Sequence, residues 1–336
     1  AAPKTHNDAF SQRSLMALRK ANPKTQGIPD MDLQVDQNGF KPGKTTRLQT
    51  QESRDAYLLI TPLMILMLVF ILFPMVSNFI YSLTDWRGFG ALNWVGFDNF
   101  RAMFEDERFW QSIKNTLILL LFIPLGVFIP LCLAALLRGG LKGWKFFRAV
   151  IYLPQVLGYV ILGMVFNLFL RSNGPLNSLL EMVGLQSWAF DWLNRPLLAL
   201  LSLGTVYSVI VRIGFGTIYF LAAMGSVDEH LYEAARVDGA GWWTRFWHVT
   251  LPSIRFNIEF LVVMSVIENV ARAFSFIYTF SRGGPGYSTH TLEYSLYTLG
   301  FTNGRIGYAS AWSVILFFIC AVIAVMQIRL MRWNDG

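Results

Sequence analysis

Six apolar stretches, near 57–82, 114–138, 146–171, 197–222, 258–281 and 308–331, limit what this chain can fold into more than any other feature. Each reaches the roughly 20 helical residues needed to cross a bilayer's hydrocarbon core. Lipid offers the backbone no hydrogen-bond partner, so each stretch must close its bonds within itself as a helix. Pro62, Pro74, Pro124, Pro130 and Pro154 are then accommodated as kinks. The predicted fold class is an all-α polytopic membrane protein with six transmembrane helices. Composition agrees, since 54% of residues are hydrophobic and only 15% charged, a balance that excludes an ordinary soluble domain. Cys132 and Cys320 both lie inside apolar runs and read as small buried hydrophobes, not as a disulfide or redox pair.

Basic residues orient the bundle. Eighteen Lys and Arg fall on the side of the N-terminal tail, of the segment Arg138 to Arg148, of the loop with Arg236, Arg245 and Arg255, and of Arg329 and Arg332. Eight fall on the opposite side. The excess puts both termini in the cytoplasm. It also accounts for the net charge of +7 as topology, which argues against a nucleic-acid partner. Residues 1–55 form a polar tail, expected to be largely disordered and to lack a cleavable signal. Ser14 to Lys20 could lie as a short helix on anionic lipid. The spans make up a second region, 56–336.

Between the fourth and fifth apolar runs lies a polar block, 226–252, too short to be a domain. Ser226 followed by Glu229 is a capping-box pattern, and Asp228 and Glu229 suit the positive end of a helix starting there. That helix would run through Glu233, Ala234 and Ala235 to Asp238-Gly239, where glycine permits a turn. A second helix with Trp242, Trp243, Phe246 and Trp247 would lead to Leu251-Pro252. Ala234 and Ala235 leave a smooth face for a partner, and Glu233 offers that partner a charge. The plainer alternative is an amphipathic hairpin resting on lipid through its tryptophans.

The block Glu233-Ala234-Ala235, three residues, Gly239, nine residues, Val249, then Leu251-Pro252 resembles the EAA loop of permease subunits of ATP-binding-cassette importers. Thr84-Asp85-Trp86, Trp94 to Phe100, Phe109-Trp110 and Lys114-Asn115-Thr116 are similar to the first outer region of maltose-importer-like sugar permeases. Phe276-Ile277-Tyr278, Gly283-Gly284-Pro285-Gly286 and Gly307 to Ala311 are similar to their last two spans. The likeness covers residues 55–332. Val249 replaces the usual isoleucine, and Phe256 stands where a second proline is common, which weakens the expected kink. The resemblance implies that the hairpin docks into an ATPase subunit through Glu233, Ala234, Ala235, Asp238, Gly239, Leu251 and Pro252. It further implies a heterodimer with a second homologous permease, two ATP-binding subunits that hold ATP and Mg, and a periplasmic or extracellular sugar-binding protein. The chain itself would need no cofactor, and it has no phosphate-binding loop with which to hold a nucleotide. Its location would be the bacterial inner membrane.

Three charges sit inside apolar runs: Arg212, Glu268 and Arg272. Such charges are costly in lipid and face a cavity or a partner. Glu268 and Arg272, at i and i+4, could simply neutralise one another. Ser265, Asn269 and Arg272 share one helical face, as do Ser208, Arg212 and Phe215 on the preceding span. By the resemblance, Val209, Val211, Arg212, Phe215, Ser265, Asn269 and Arg272 match the family's sugar contacts. Ser265 and Asn269 suit hydroxyls, Phe215 suits a ring face, and two guanidinium groups point to an acidic oligosaccharide such as an alginate fragment. A neutral oligosaccharide or a glycerol-phosphate ester remains open if an arginine is neutralised by Glu268. The competing class is an ion-coupled secondary transporter with Glu268 as its coupling site, against which stands the lack of visible inverted repeats. An enzyme is disfavoured because His6, His230, His248 and His290 are scattered instead of gathered at metal-ligand spacing.

Overall fold

The computed structural model describes residues 47–139 and 143–333. The reading of the tail, including a surface helix over Ser14 to Lys20, lies outside the described residues. The chain divides into two units, Ala1–Leu66 and Met67–Gly336. The first is described only as helix, from Arg47, inside the stretch that composition assigns to the tail. Among the described residues there is no strand, only one antiparallel bridge between Thr84 and Trp94.

Five helical stretches are long and apolar enough to cross a membrane: Tyr57–Tyr81, Glu107–Arg138, Phe146–Phe169, Pro196–Gly225 and Ile306–Gln327. Trp242–Ser253 and Arg255–Ala271, two helices meeting at 71°, are long and apolar enough only when taken together as one bent pair, which brings the total to six. That bend forms although Phe256 replaces the second proline, because Ile254 leaves helical geometry at ψ 17° directly after Leu251-Pro252-Ser253. The fifth apolar run was expected to continue to 281. Instead the helix stops at Ala271, Arg272 takes φ −140°, and a short helix restarts over Phe274–Phe280.

The prolines divide by position. Pro62, Pro130 and Pro154 lie within helices, and four residues after Pro154 Gly158 departs from helical geometry altogether at φ 75°. Pro74 and Pro124 instead occupy the first turn of helices that begin after a π-helical turn and a break, where the missing N–H costs nothing.

Buried side chains form three clusters. One joins the third, fourth and fifth spans through Leu162, Leu203, Tyr207, Phe276 and Phe280. A second packs Val127, Leu131, Phe220 and Met224 against Phe246 of the polar block and Ile254 just beyond it. The third holds Met103, Phe109, Leu292, Tyr308 and Trp312. Backbones also approach closely at glycine. A Cβ on Gly126 of the second span would stand 2.1 Å from the Ser208 carbonyl oxygen of the fourth.

The motif residues of the outer region converge. Asn99 donates to the carbonyls of Ser82 and Thr84 at 2.9 and 2.7 Å, and the amide of Gly307 donates to Trp86 at 2.8 Å. Asn115 donates to the carbonyls of Tyr287 and His290 at 2.9 and 2.8 Å, fastening the loop that follows Gly283 to the second span. The Gly283 to Gly286 segment is a turn in which both of those glycines have positive φ. Burial, reinforced by the Arg108 charge, pushes the His290 imidazole down to about 4 from its ordinary 6.5. The neutral ring is therefore the folded form. This group contributes stability fully above pH 6.5, and that contribution is lost as pH falls toward 4, because the unfolded chain takes up the proton first. The melting temperature of the purified protein should drop between pH 7 and 5, by an amount that His290→Gln reduces. A pH dependence identical in both proteins excludes this account.

Candidate functional site

Two features bring the predicted residues together, a cavity among the spans and the polar hairpin. The cavity has a volume of about 200 Å³ and is walled by Tyr159, Arg212, Phe215, Phe260, Ser265 and Glu268. Its backbone is irregular where the fourth span passes. Residues Gly204–Val209 are π-helical, Ile210–Arg212 form a 3-10 turn, and α-helix resumes over Ile213–Gly225. Departures of this kind survive at membrane depth only where protein or a cavity satisfies the freed groups, and they recur at functional sites.

Arg212 pairs with Glu268 across the two spans. The reading in which Arg272 neutralises Glu268 finds no ion pair among the described residues; Arg212 holds the carboxylate instead. The Arg212 Nε remains buried with no hydrogen-bond partner. Arg272 lies where its helix ends; its side chain is solvent-accessible and its carbonyl accepts from the Tyr207 hydroxyl at 3.0 Å. The same hydroxyl donates to the Glu268 carbonyl at 3.1 Å, so Tyr207 caps this helix from the fourth span.

Of the seven residues matched to sugar contacts, the cavity gathers Arg212, Phe215 and Ser265. Val209 and Val211 are buried in packing, and Asn269 is fully buried. Asn269 accepts from the Ser208 hydroxyl at 2.6 Å and donates to the Ser265 carbonyl at 2.8 Å, which spends its amide on holding the spans together. Sequence reasoning missed Gln155 and Tyr159 of the third span and Phe260 of the fifth. Gln155 and Tyr159 stand one helical turn apart in an apolar run, a signal that was readable.

The hairpin forms as a helix over Glu229–Val237, a turn, and a second helix beginning Trp242–Arg245. Its start differs from the capping box. Asp228 accepts from the His230 amide, whereas the Ser226 hydroxyl turns back to the Ala223 carbonyl. Glu229 is thereby free to meet Arg138 at 3.3 Å and Arg236 at 2.8 Å. Gly239 takes φ +74°, as the turn requires, and the position of its absent Cβ is open. Glu233 projects outward with 59% of its side chain exposed, 3.4 Å from His230. Asp238, Ala234 and Pro252 are exposed, while Ala235 and Leu251 are half-buried. Trp242, Trp243 and Trp247 are exposed and Phe246 is buried beneath them, with Trp242 and Phe246 stacked at 5.6 Å. The geometry is an elbow whose inner side joins the core through Phe246 and whose tip, around Glu233 to Gly239, is small, charged and exposed.

Known proteins resemble this chain in sequence and fold. Residues 116–333 match the family described as binding-protein-dependent transport system inner membrane component. The chain is 32% identical to the diacetylchitobiose uptake system permease protein of Streptomyces coelicolor, over 80% of this chain and 79% of that one. It is 31% identical to the sn-glycerol-3-phosphate transport system permease protein of Escherichia coli, over 81% and 92%. In structure it resembles, with a TM-score of 0.74 and 27% identity, a chain of a bacterial ABC transporter involved in the import of the acidic polysaccharide alginate, over 86% of this chain and all of that one. A model match to residues 116–333, together with relatives of more than 30% identity aligned over about four fifths of the chain, places the chain in the family of inner-membrane permease components of binding-protein-dependent transport systems.

Proposed function

We propose that this chain is one of two paired, homologous permeases of a bacterial carbohydrate importer, and that its cargo is an acidic oligosaccharide such as an alginate fragment. It is the non-catalytic, membrane-spanning partner in that assembly. Two ATPase subunits on the cytoplasmic side hold ATP and Mg, and a binding protein delivers sugar from outside. Both termini lie in the cytoplasm, with residues 1–55 a tail and 56–336 the permease domain.

The observation that carries the cargo assignment is the charge at the cavity. Arg212 lines the cavity and, although Glu268 pairs with it, keeps a buried guanidinium N–H without a partner, while Arg272 adds a second guanidinium at the exposed end of the same helix, one turn after Glu268. Guanidinium grips carboxylates through paired hydrogen bonds, and Phe215 and Tyr159 offer ring faces beside it. Resemblance to the alginate importer supports the same choice. At 200 Å³ the cavity is smaller than the roughly 300–1,000 Å³ of complete ligand pockets, so the companion permease supplies the facing wall. Val209, Val211 and Asn269 back the site from behind.

The pairing of Arg212 with Glu268 favours a second reading, a neutral oligosaccharide like the one named for the Streptomyces relative. Uptake separates the two. Arg272→Gln should weaken transport of an acidic oligosaccharide by roughly tenfold to a hundredfold more than that of a neutral analogue, the loss expected for one charge-assisted hydrogen bond. Equal losses for the two sugars favour neutral cargo.

Transport proceeds by alternating access. Closure of the ATPase pair draws on the hairpin through Glu233, with Ala234, Ala235 and Asp238 as the contact face and Gly239 setting the turn. Leu251 and Pro252 pass that motion to the elbow at Ile254, and the fifth span reorients around the cavity.

A further inference from the structure

Behind the hairpin lies a second cavity, of about 420 Å³, that the transport reading does not use. Arg138 reaches it from the end of the second span, Glu229, Tyr232 and Arg236 from one face of the first hairpin helix, and Trp242 and Arg245 from the second. Three guanidinium groups therefore surround one carboxylate. Glu229 is shared between Arg138 and Arg236. Arg245 has no ion pair among the described residues, and its Nε is buried with no hydrogen-bond partner. Arg138 is already oriented, lying 4.2 Å above the Tyr232 ring and donating to the Tyr232 hydroxyl at 2.6 Å. That hydroxyl in turn lies 3.0 Å from Thr250 Oγ1, which ties it to the second half of the hairpin.

We propose that this cavity binds a phosphate monoester and that the bound anion restrains the hairpin. The excess of two positive charges equals the −1.5 to −2 that a phosphate monoester carries near neutral pH. Its three oxygens accept several N–H donors at once, and arginine is the residue best shaped to supply them. The cavity exceeds the volume of phosphate alone, and the indole of Trp242, stacked on Phe246, walls the remainder with an aromatic face suited to a sugar ring or a glycerol backbone. The same chemistry is presented by a soluble sugar phosphate and by the headgroup of phosphatidic acid. Because Arg138 belongs to the second span and Arg236 and Arg245 to the hairpin, an anion held by all three ties the moving element to the fixed one. This regulatory consequence rests on the coupling role proposed for the hairpin; the binding does not.

The intact transporter complex, reconstituted in phosphatidylcholine nanodiscs, provides the test. Radiolabelled glucose 6-phosphate should be retained and glucose should not, with affinity falling at least about tenfold in Arg245→Gln and recovering in Arg245→Lys. Retention by Arg245→Lys guards against a variant that merely misfolds. If only discs containing phosphatidic acid show a higher melting temperature in wild type than in Arg245→Gln, the monoester is a lipid headgroup, and the inference also holds. Absence of both effects, or affinities unchanged in Arg245→Gln and Arg138→Gln alike, overturns it. Bound ester should also lower sugar-stimulated ATP hydrolysis. Should binding depend on Arg245 while Glu233→Ala leaves hydrolysis intact, the site stands and the coupling role falls.

Discussion

Glu233→Ala should reduce sugar-stimulated ATP hydrolysis of the assembled complex at least about 30-fold while leaving the amount of complex unchanged, since truncating one partner of an interfacial charge pair costs about 2 kcal/mol or more. The effect cannot come from the fold of this chain. Glu233 is well exposed, and among the described residues its charged neighbour is His230, 3.4 Å away on the same helix. Gly239→Val tests the same element by another route. Its φ of +74° is a conformation that a β-branched residue adopts only at a cost of about 1 to 3 kcal/mol, although nothing stands within 4 Å to clash with it. The hairpin would then change shape without any loss of core packing. Undiminished hydrolysis and uptake in both variants would sink the coupling role and leave the tryptophan face resting on lipid as the better account.

The second large effect concerns the ion pair inside the bundle. Arg212→Met should destabilise the folded protein by about 1 to 3 kcal/mol, because it leaves the largely buried Glu268 carboxylate without its partner. Arg212→Met combined with Glu268→Met should recover most of that loss, as apolar replacement of a whole buried pair is commonly neutral. Unfolding of the purified chain in detergent, followed for both single variants and the double, measures the coupling. Additive losses mean that the two groups do not interact. Transport in the double variant is informative as well. If the pair served only to hold the spans together, uptake would survive; if Arg212 also grips cargo, uptake fails in a protein that is fully folded.

Much of this was legible in the sequence. The six apolar runs and the hairpin turn at Gly239 follow from hydropathy and turn chemistry, which local composition controls, whereas helical spacing placed Arg212 with Phe215 on one face and Ser265 on another, and only the family resemblance joined them. What escaped depended on competition between distant groups. Spacing along one helix suggested Glu268 with Arg272, yet the winning partner was Arg212, 56 residues earlier on a neighbouring span. Likewise Ser226 and Glu229 fit a capping box, but Glu229 is worth more to Arg138 and Arg236 than to a helix end that Asp228 can cap. Asn269 looked available for ligand because its partner, Ser208, could be identified only once the fourth and fifth spans were side by side. The interruption of the fifth span at Arg272 had no local breaker residue to announce it. It coincides with Glu293 accepting the Phe274 amide at 2.9 Å, which starts a new helix from outside the old one.

The contact of Gly126 with the Ser208 carbonyl has a mechanical corollary. Main chain pressed against main chain leaves no compliant side chain to absorb sliding, so the second and fourth spans act as a single plate. Regular winding is broken at other points, at Gly158 in the third span, at Ile254 and Arg272 around the fifth, and from Gly204 to Arg212 in the fourth itself. At the level of Gly126 the second span can slip past the fourth only after the two backbones have first drawn apart.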